Sequence, residues 1–183
     1  DAGAGVGYSG LRIRGVDASR INVTINGVPV NDPESHDVYW VNMPDMASSL
    51  DNIQVQRGVG TSSNGASAFG ASINIQTDEI NRKAYGVSDN SYGSFNTWKN
   101  TIKAGTGLIN GKFSMDVRLS QILSDGYIDR ANSNLKSYFL SGAYVGKKSV
   151  VKAVAFSGKE ITYQSWYGTP ESRITGNVDS MNA

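Results

Sequence analysis

Ten residues near the start of the chain, Asn31 to Trp40 (NDPESHDVYW), concentrate the side chains able to do chemistry. They are Asp32, Glu34 and Asp37, the only histidine, His36, and the aromatic pair Tyr39 and Trp40. Paired with a carboxylate, His36 would be a general base. Gathered around an ion, Asp32, Glu34, His36 and Asp37 would be a ligand set. Neither chemistry is completed elsewhere in the sequence. A lone histidine leaves no second imidazole for a transition-metal set, no activated nucleophile accompanies it, and the spacing does not reproduce an EF-hand loop. A plain polar surface loop competes with both.

The elements that must position this loop are short and β-rich. Ile21-Asn22-Val23-Thr24-Ile25 alternates at period two, which predicts a strand, and Asn26-Gly27 is a strong turn dipeptide before Val28. Leu11 and Ile13 alternate with Arg12 and Arg14, again as a strand would. After the loop, Met43 to Leu50 reads as a short helix, with Pro44 in its first turn and Asp45 complementing its N-terminus. It would pack Met46 and Leu50 inward and deliver the chain to a strand at Ile53.

That strand opens the stretch around which the chain is organised, Leu50 to Thr77. Ile53-Gln54-Val55-Gln56 and Ile73-Asn74-Ile75-Gln76 bracket a small-residue segment holding Gly58, Gly60, Gly65 and Gly70. A phosphate-binding P-loop would need Lys and then Ser or Thr directly after its last glycine. Here Ala66 follows Gly65 and Ala71 follows Gly70, which excludes it. Gly3-Ala4-Gly5-Val6-Gly7 lacks the preceding strand and following helix of a dinucleotide fingerprint.

IQVQRGVGTSSNGASAFGASINIQT resembles the pattern that closes the plug domain of TonB-dependent outer-membrane receptors: a strand ending in Arg-Gly, a small-residue run, a Gly-Ala pair and a strand leading to the barrel. Two further stretches resemble that family in the same order, Leu11-Arg12-Ile13-Arg14-Gly15 and the strand-and-turn element from Val23 to Asp32. Ala71 departs from the pattern, standing where a second glycine is commoner. The resemblance implies that the loop of His36 rises toward the cell exterior and helps to floor a ligand cavity. Tyr39 and Trp40 would then stack on the ligand while His36 and Asp37 supply hydrogen bonds, and Asp17, Ser19 and Arg20 would form another apex. It also favours Arg14 and Arg57 as plug–barrel structural residues, which inside a barrel need carboxylate partners because an unpaired buried charge is costly.

Composition agrees with a β-rich membrane protein without demanding it. The 183 residues carry a net charge of +1, no cysteine and no clustered excess of Lys and Arg, which argues against a nucleic-acid partner. No stretch approaches the ~18 apolar residues of a transmembrane helix. Barrel strands need only ~9–11 residues with alternating polarity. Five segments beyond the charged connection 78–83 meet that length: Ala84–Tyr92, Asn96–Ile109, Lys112–Leu123, Leu135–Gly146 and Ser149–Lys159. In the third, Phe113, Met115, Val117 and Leu119 alternate with Lys112, Ser114, Asp116, Arg118 and Ser120, and the second sets Trp98, Ile102, Ala104 and Leu108 against Lys99, Thr101, Lys103 and Gly105. The fourth and fifth alternate too poorly for their faces to be assigned. Asn110-Gly111 and Gly146-Lys147-Lys148 read as tight turns, while the stretch from Ser124 to Asn134 and that after Lys159 read as longer loops. Tyr127, Tyr163, Trp166 and Tyr167 are expected near or beyond the outer interface, in an interfacial girdle in preference to ligand contact.

The expected fold is therefore mainly β: the later part of a small α+β plug over residues 1–77, a connection at 78–83, and from 84 to 183 about the first five antiparallel strands of a transmembrane β-barrel. The resemblance implies a barrel of about 22 strands, so the chain, which begins at Asp1 without an initiator methionine or leader, is expected to be an internal fragment. It further implies an energy-coupled receptor in the outer membrane of a Gram-negative bacterium, not an enzyme, with no cofactor. Its partners would be a nutrient ligand (siderophore, haem, cobalamin, glycan or peptide), outer-membrane lipid, and an inner-membrane energy-coupling complex reached through a missing N-terminal segment. A secreted or surface β-rich carbohydrate-binding adhesion module is the alternative, and a hydrolase centred on His36 a third possibility with no nucleophile to support it. Alone, the chain would expose strand edges and an apolar face, which predicts aggregation or a need for detergent.

Overall fold

The structure, a computed structural model, describes residues 6, 10–58, 69–77, 80–163, 174 and 176. The expectations for Gly60, Gly65, Ala66, Trp166 and Tyr167 lie outside these residues. Two sheets make up the described chain, and the first is held by the alternation read at Ile21–Ile25. Its order is β2-β1-β4-β3, with β1 (Ile21–Ile25) parallel to β4 (Ala71–Thr77) and antiparallel to β2 (Val28–Pro29), and β3 (Leu50–Arg57) antiparallel to β4. Asn26 and Gly27 turn β1 into β2 with φ of 52° and 81°, the left-handed pair that matches strand twist.

The core lies on one face of this sheet, where Ile21, Val23, Ile25, Ala71, Ile73 and Ile75 are buried together with Met46. Period two puts Thr24, Asn74 and Gln54 on the other face, where the Thr24 hydroxyl donates to Asn74 Oδ1 at 2.8 Å. Two local expectations fail. Leu11 to Gly15 is not a strand: Arg14 and Gly15 take φ of 53° and 78°, and Val16 N donates back to Ile13 O at 3.0 Å, closing a tight turn. Met43 to Leu50 is not one helix either, but two 3-10 turns at Trp40–Asn42 and Met46–Ser49. Between them Asp45 adopts φ 53°, a left-handed conformation that a continuous helix excludes.

The second sheet is an antiparallel meander, β5 (Tyr85–Gly93), β6 (Thr97–Gly105), β7 (Phe113–Ser124), β8 (Ser133–Val145) and β9 (Val150–Thr162), each paired with its sequence neighbour. The five expected segments are these five strands, except that the second ends at Gly105, before a turn at Asn110-Gly111. Residues directly opposite in an antiparallel pair share a face, so the register sorts every side chain. The inner face holds Lys99, Thr101, Asp116, Arg118 and Ser120, and the outer face Ile102, Phe113, Met115, Leu119 and Leu140. β8 and β9 resolve as well, with Leu135, Phe139, Ser141 and Ala143 inward and Tyr138, Leu140 and Tyr144 outward. Their alternation was weak because both faces of β8 are partly apolar. Phe139, Val154 and Phe156 turn inward to meet the first sheet's core, and the rings of Phe139 and Phe156 stack at 6.4 Å.

Candidate functional site

Asn31 does for the loop of His36 what no charged residue does. Its side-chain oxygen accepts from Val23 N at 2.8 Å, and its amide nitrogen donates to both Ile21 O and His36 O at 2.8 Å. One amide thus ties the start of β1, directly after the 3-10 turn Ala18–Arg20, to the tip of the 31–40 loop. Within the loop the Asp32 carboxylate accepts from Ser35 N at 2.8 Å, Glu34 N at 3.0 Å and the Ser35 hydroxyl at 3.1 Å. The backbone N–H groups of Ser35 and Glu34 hold the Asp32 carboxyl below its ordinary value despite the opposing effect of burial. His36 adopts φ 60° and donates its N–H to Asp32 O at 2.9 Å, so the tip is a hydrogen-bonded reversal.

The expected ligand residues divide. Asp17, Arg20, His36 and Tyr39 are exposed, while Ser19 and Asp37 are half-buried. Asp17 accepts from the N–H and hydroxyl of Ser19, both at 3.3 Å, and Tyr39 donates its hydroxyl to Ser35 at 3.3 Å. Trp40 packs against the first sheet's core and lines, with Leu11, Met43, Met46 and Ile122, an apolar cavity of about 510 Å³ between the sheets. Arg14 and Arg57 are exposed, and neither forms an ion pair among the described residues. No group of three or more His, Cys, Asp or Glu fit to hold a metal occurs among the described residues.

The apex lies at a definite end of the second sheet. Gly70 N donates to Arg20 O at 2.8 Å and Gly58 N to Gly70 O at 2.9 Å, so the Arg-Gly end of β3 joins the 17–20 turn. A side chain at Gly70 would overlap Val16 and the Arg20 carbonyl. At the opposite end of β4, Thr77 accepts from Lys152 Nζ at 3.1 Å, just past the short 146–149 turn. The apex therefore points toward the end that carries the longer connection 125–132.

What fixes the two sheets together was missed in the sequence. Asp45, 4 % exposed, receives Lys99 Nζ at 2.7 Å and the Ser48 hydroxyl at 2.7 Å on one oxygen. Its other oxygen receives Arg118 at 3.1 Å, the Thr101 hydroxyl at 3.2 Å and the Ser120 hydroxyl, and its carbonyl takes Arg118 at 2.6 Å. Burial pushes this carboxyl up, but the donors Lys99, Ser120 and Ser48 and the Lys99 charge prevail and hold it below its ordinary value. Next to it Pro44 sits on β9, where any Cβ at Gly158 would overlap the proline ring. The segment 40–49 thus reaches β6, β7 and β9. The only signal in the sequence was a carboxylate beside a proline, with strand partners from Lys99 to Ser120, 54 to 75 residues away.

Comparison with known proteins places this geometry. Residues 1–72 match the family model for the TonB-dependent receptor plug domain. None of the curated proteins compared matches the sequence. Among solved structures, the pyoverdine outer-membrane receptor FpvA of Pseudomonas aeruginosa PAO1, bound to pyoverdine, superposes with a TM-score of 0.69 at 17% identity, over 81% of this chain and 22% of that one. The copper transporter OprC gives 0.67 at 17% identity over 86% and 26%. The ferric yersiniabactin uptake receptor FyuA of Yersinia pestis gives 0.62 at 15% over 82% and 25%. The chain spans about a quarter of the length of these structures, and at such identities they establish its fold. Residues 1–72 thus match a TonB-dependent receptor plug domain, and the strands that follow share the fold of plugged β-barrel receptors.

Proposed function

We propose that residues 1–77 are the later part of a plug, 78–83 a connection, and 84 onward the first strands of the barrel it fills. The receptor binds a scarce nutrient at the surface of a Gram-negative cell and admits it to the periplasm, driven by an inner-membrane energy-coupling complex. It performs no covalent chemistry. Ligand would meet the apex formed by Asp17, Ser19, Arg20, His36, Asp37 and Tyr39, with Trp40 beneath, and Arg14 and Arg57 would face the barrel wall. The observation that carries this reading is the opposition of the second sheet's faces. The inner face is charged and bonded to the plug, whereas the outer face is largely apolar between two aromatic tiers, apart from one polar row near the Tyr92 and Trp98 end.

Those tiers are Tyr92 with Trp98 at one end, ring centroids 4.6 Å apart, and Phe113 with Tyr144 at the other, 5.0 Å apart. Phe113 and Leu123, the register partner of Trp98, lie on the same strand. At ~3.4 Å per residue the tiers are about 34 Å apart along it, and a strand tilt of ~40° reduces this to about 26 Å of depth, close to the ~25 Å apolar band of outer-membrane barrels. Fractionating source cells and probing with an antibody against this segment tests the proposal. A polypeptide several times larger than this chain, in an outer-membrane fraction that needs detergent, is expected. A soluble polypeptide of this size would overturn it and leave the adhesion module.

A further inference from the structure

The outer face of the second sheet carries charge at one place only. Sorting β5 to β9 by register puts Asp89, Lys99, Lys103, Asp116, Arg118, Lys152 and Glu160 on the inner face, and leaves Lys136 and Lys159 as the charged side chains of the outer face, with no carboxylate. The two are direct cross-strand partners, and both are exposed. Their direction is fixed by their neighbours: Leu135 is 3 % exposed on the inner side, and Gly158 lies under the Pro44 ring of the plug. Like charges directly opposite in an antiparallel pair are destabilising. No acidic group among the described residues of this face relieves them, yet the rest of the same row is neutral and polar, with Asn90, Asn100 and Gln121 in register with them.

Depth says what can meet this pair. Lys136 is eight residues along β8 from Tyr144 of the lower aromatic tier. That is about 27 Å along the strand and about 21 Å of depth at ~40° tilt. The ammonium groups, extended on their long stems, therefore reach the upper margin of the ~25 Å apolar band, where lipid headgroups lie.

We propose that Lys136 and Lys159 form a docking site for a phosphorylated membrane lipid, whose dianionic phosphomonoester bridges the two ammonium groups. The proposal rests on the membrane reading above. Charge complementarity selects the occupant: two adjacent cations without a counter-ion among the described residues, above a largely apolar surface fit for acyl chains, match an anionic headgroup with hydrocarbon below it.

The test uses the native polypeptide that carries this chain, purified in a non-ionic detergent. Mixed micelles containing phosphatidic acid, phosphatidylcholine alone, and inorganic phosphate are the three probes, read by native mass spectrometry of retained lipid. Phosphatidic acid is expected to bind in preference to phosphatidylcholine, less tightly as salt rises. A lysine near an anionic surface contributes about a fivefold gain. Lys136→Gln or Lys159→Gln should therefore weaken retention about fivefold, and the pair about 30-fold, with detergent partitioning unchanged. Equal retention of the two lipids, or of phosphatidic acid by the double variant, would overturn the site while leaving the membrane reading intact. Displacement by millimolar inorganic phosphate would show a soluble-phosphate site and overturn lipid docking. A polypeptide that needs no detergent would remove both readings.

Discussion

The plug meets the two halves of its wall by different physics. Against β8 and β9 the contact is mainly apolar, with Phe139, Val154 and Phe156 closing the core and Pro44 seated on Gly158, and Lys152 bonded to Thr77 at one end. Against β6 and β7 it is ionic, with one carboxylate, Asp45, collecting Lys99, Thr101, Arg118 and Ser120. The apolar half holds through shape and burial, which water cannot replace. The ionic half holds through donors that water can replace one by one. If the plug shifts as the proposed function requires, it would release β6 and β7 before β8 and β9.

The largest blow to that contrast should come from Asp45→Ala. It leaves the Arg118 guanidinium, 3 % exposed, without its carboxylate partner while keeping the main-chain carbonyl contact at 2.6 Å, and breaking a buried pair costs about 3–5 kcal/mol. Denaturant titration of the detergent-solubilised protein reads it, and a loss under about 1 kcal/mol would show the joint to be mostly hydrated. Phe139→Ala attacks the other half. A loss of about 3 kcal/mol is expected, at the low end for a buried phenylalanine because Phe156 can settle into the gap. This loss should leave the Asp45 contacts and their pH dependence untouched.

Gly158→Ala is smaller, about 1–3 kcal/mol of overpacking against Pro44. Substitution of Pro44 by Gly should suppress its effect, and an unchanged denaturation midpoint in Gly158→Ala would mean that the contact is loose.

The pH profile sharpens the ionic half. The Asp45 carboxyl lies below its ordinary 3.8 in the folded protein. Its contribution is therefore full above pH 3.8 and is lost as pH falls below that through the folded value. Asp32 shifts in the same direction, so the diagnostic quantity is the difference from Asp45→Asn, whose acid limb should be shallower. Identical acid limbs would refute the assignment. Smallest of all should be Lys99→Met, because this lysine is 30% exposed and its pair is screened by solvent. A loss of no more than about 1 kcal/mol, diminishing with salt, is expected.

The same contrast explains what the sequence disclosed. β6 and β7 were legible because their inner face is polar and their outer face apolar, so period two is visible in the residues themselves. β8 was not, because Leu135, Phe139 and Ala143 are apolar on its inner face, where Phe139 meets a plug core that only the folded protein supplies. Asp45 read as a charge complementing a helix N-terminus because that effect is local to residues 43–50, while its partners arrive from strands far along the chain. Arg14-Gly15 misled in the other direction. Alternation over four residues suggested a strand, but glycine's tolerance of positive φ let the pair form a turn. At the apex, the charged side chains of the 31–40 loop drew attention, and Asn31, an amide bonded to three backbone groups, did the positioning.

The spacing of the two aromatic tiers also acts as a ruler. Hydrocarbon matched to a wall about 26 Å tall is thinner than the ~30 Å of an average bilayer. In a thicker membrane the strands must tilt upright or the lipid must compress, at a fraction of a kcal/mol for each Å of mismatch. On the proposed membrane reading, Tyr92 with Trp98 and Phe113 with Tyr144 would suit the polypeptide to a thin membrane and bias its residence there, by thickness alone.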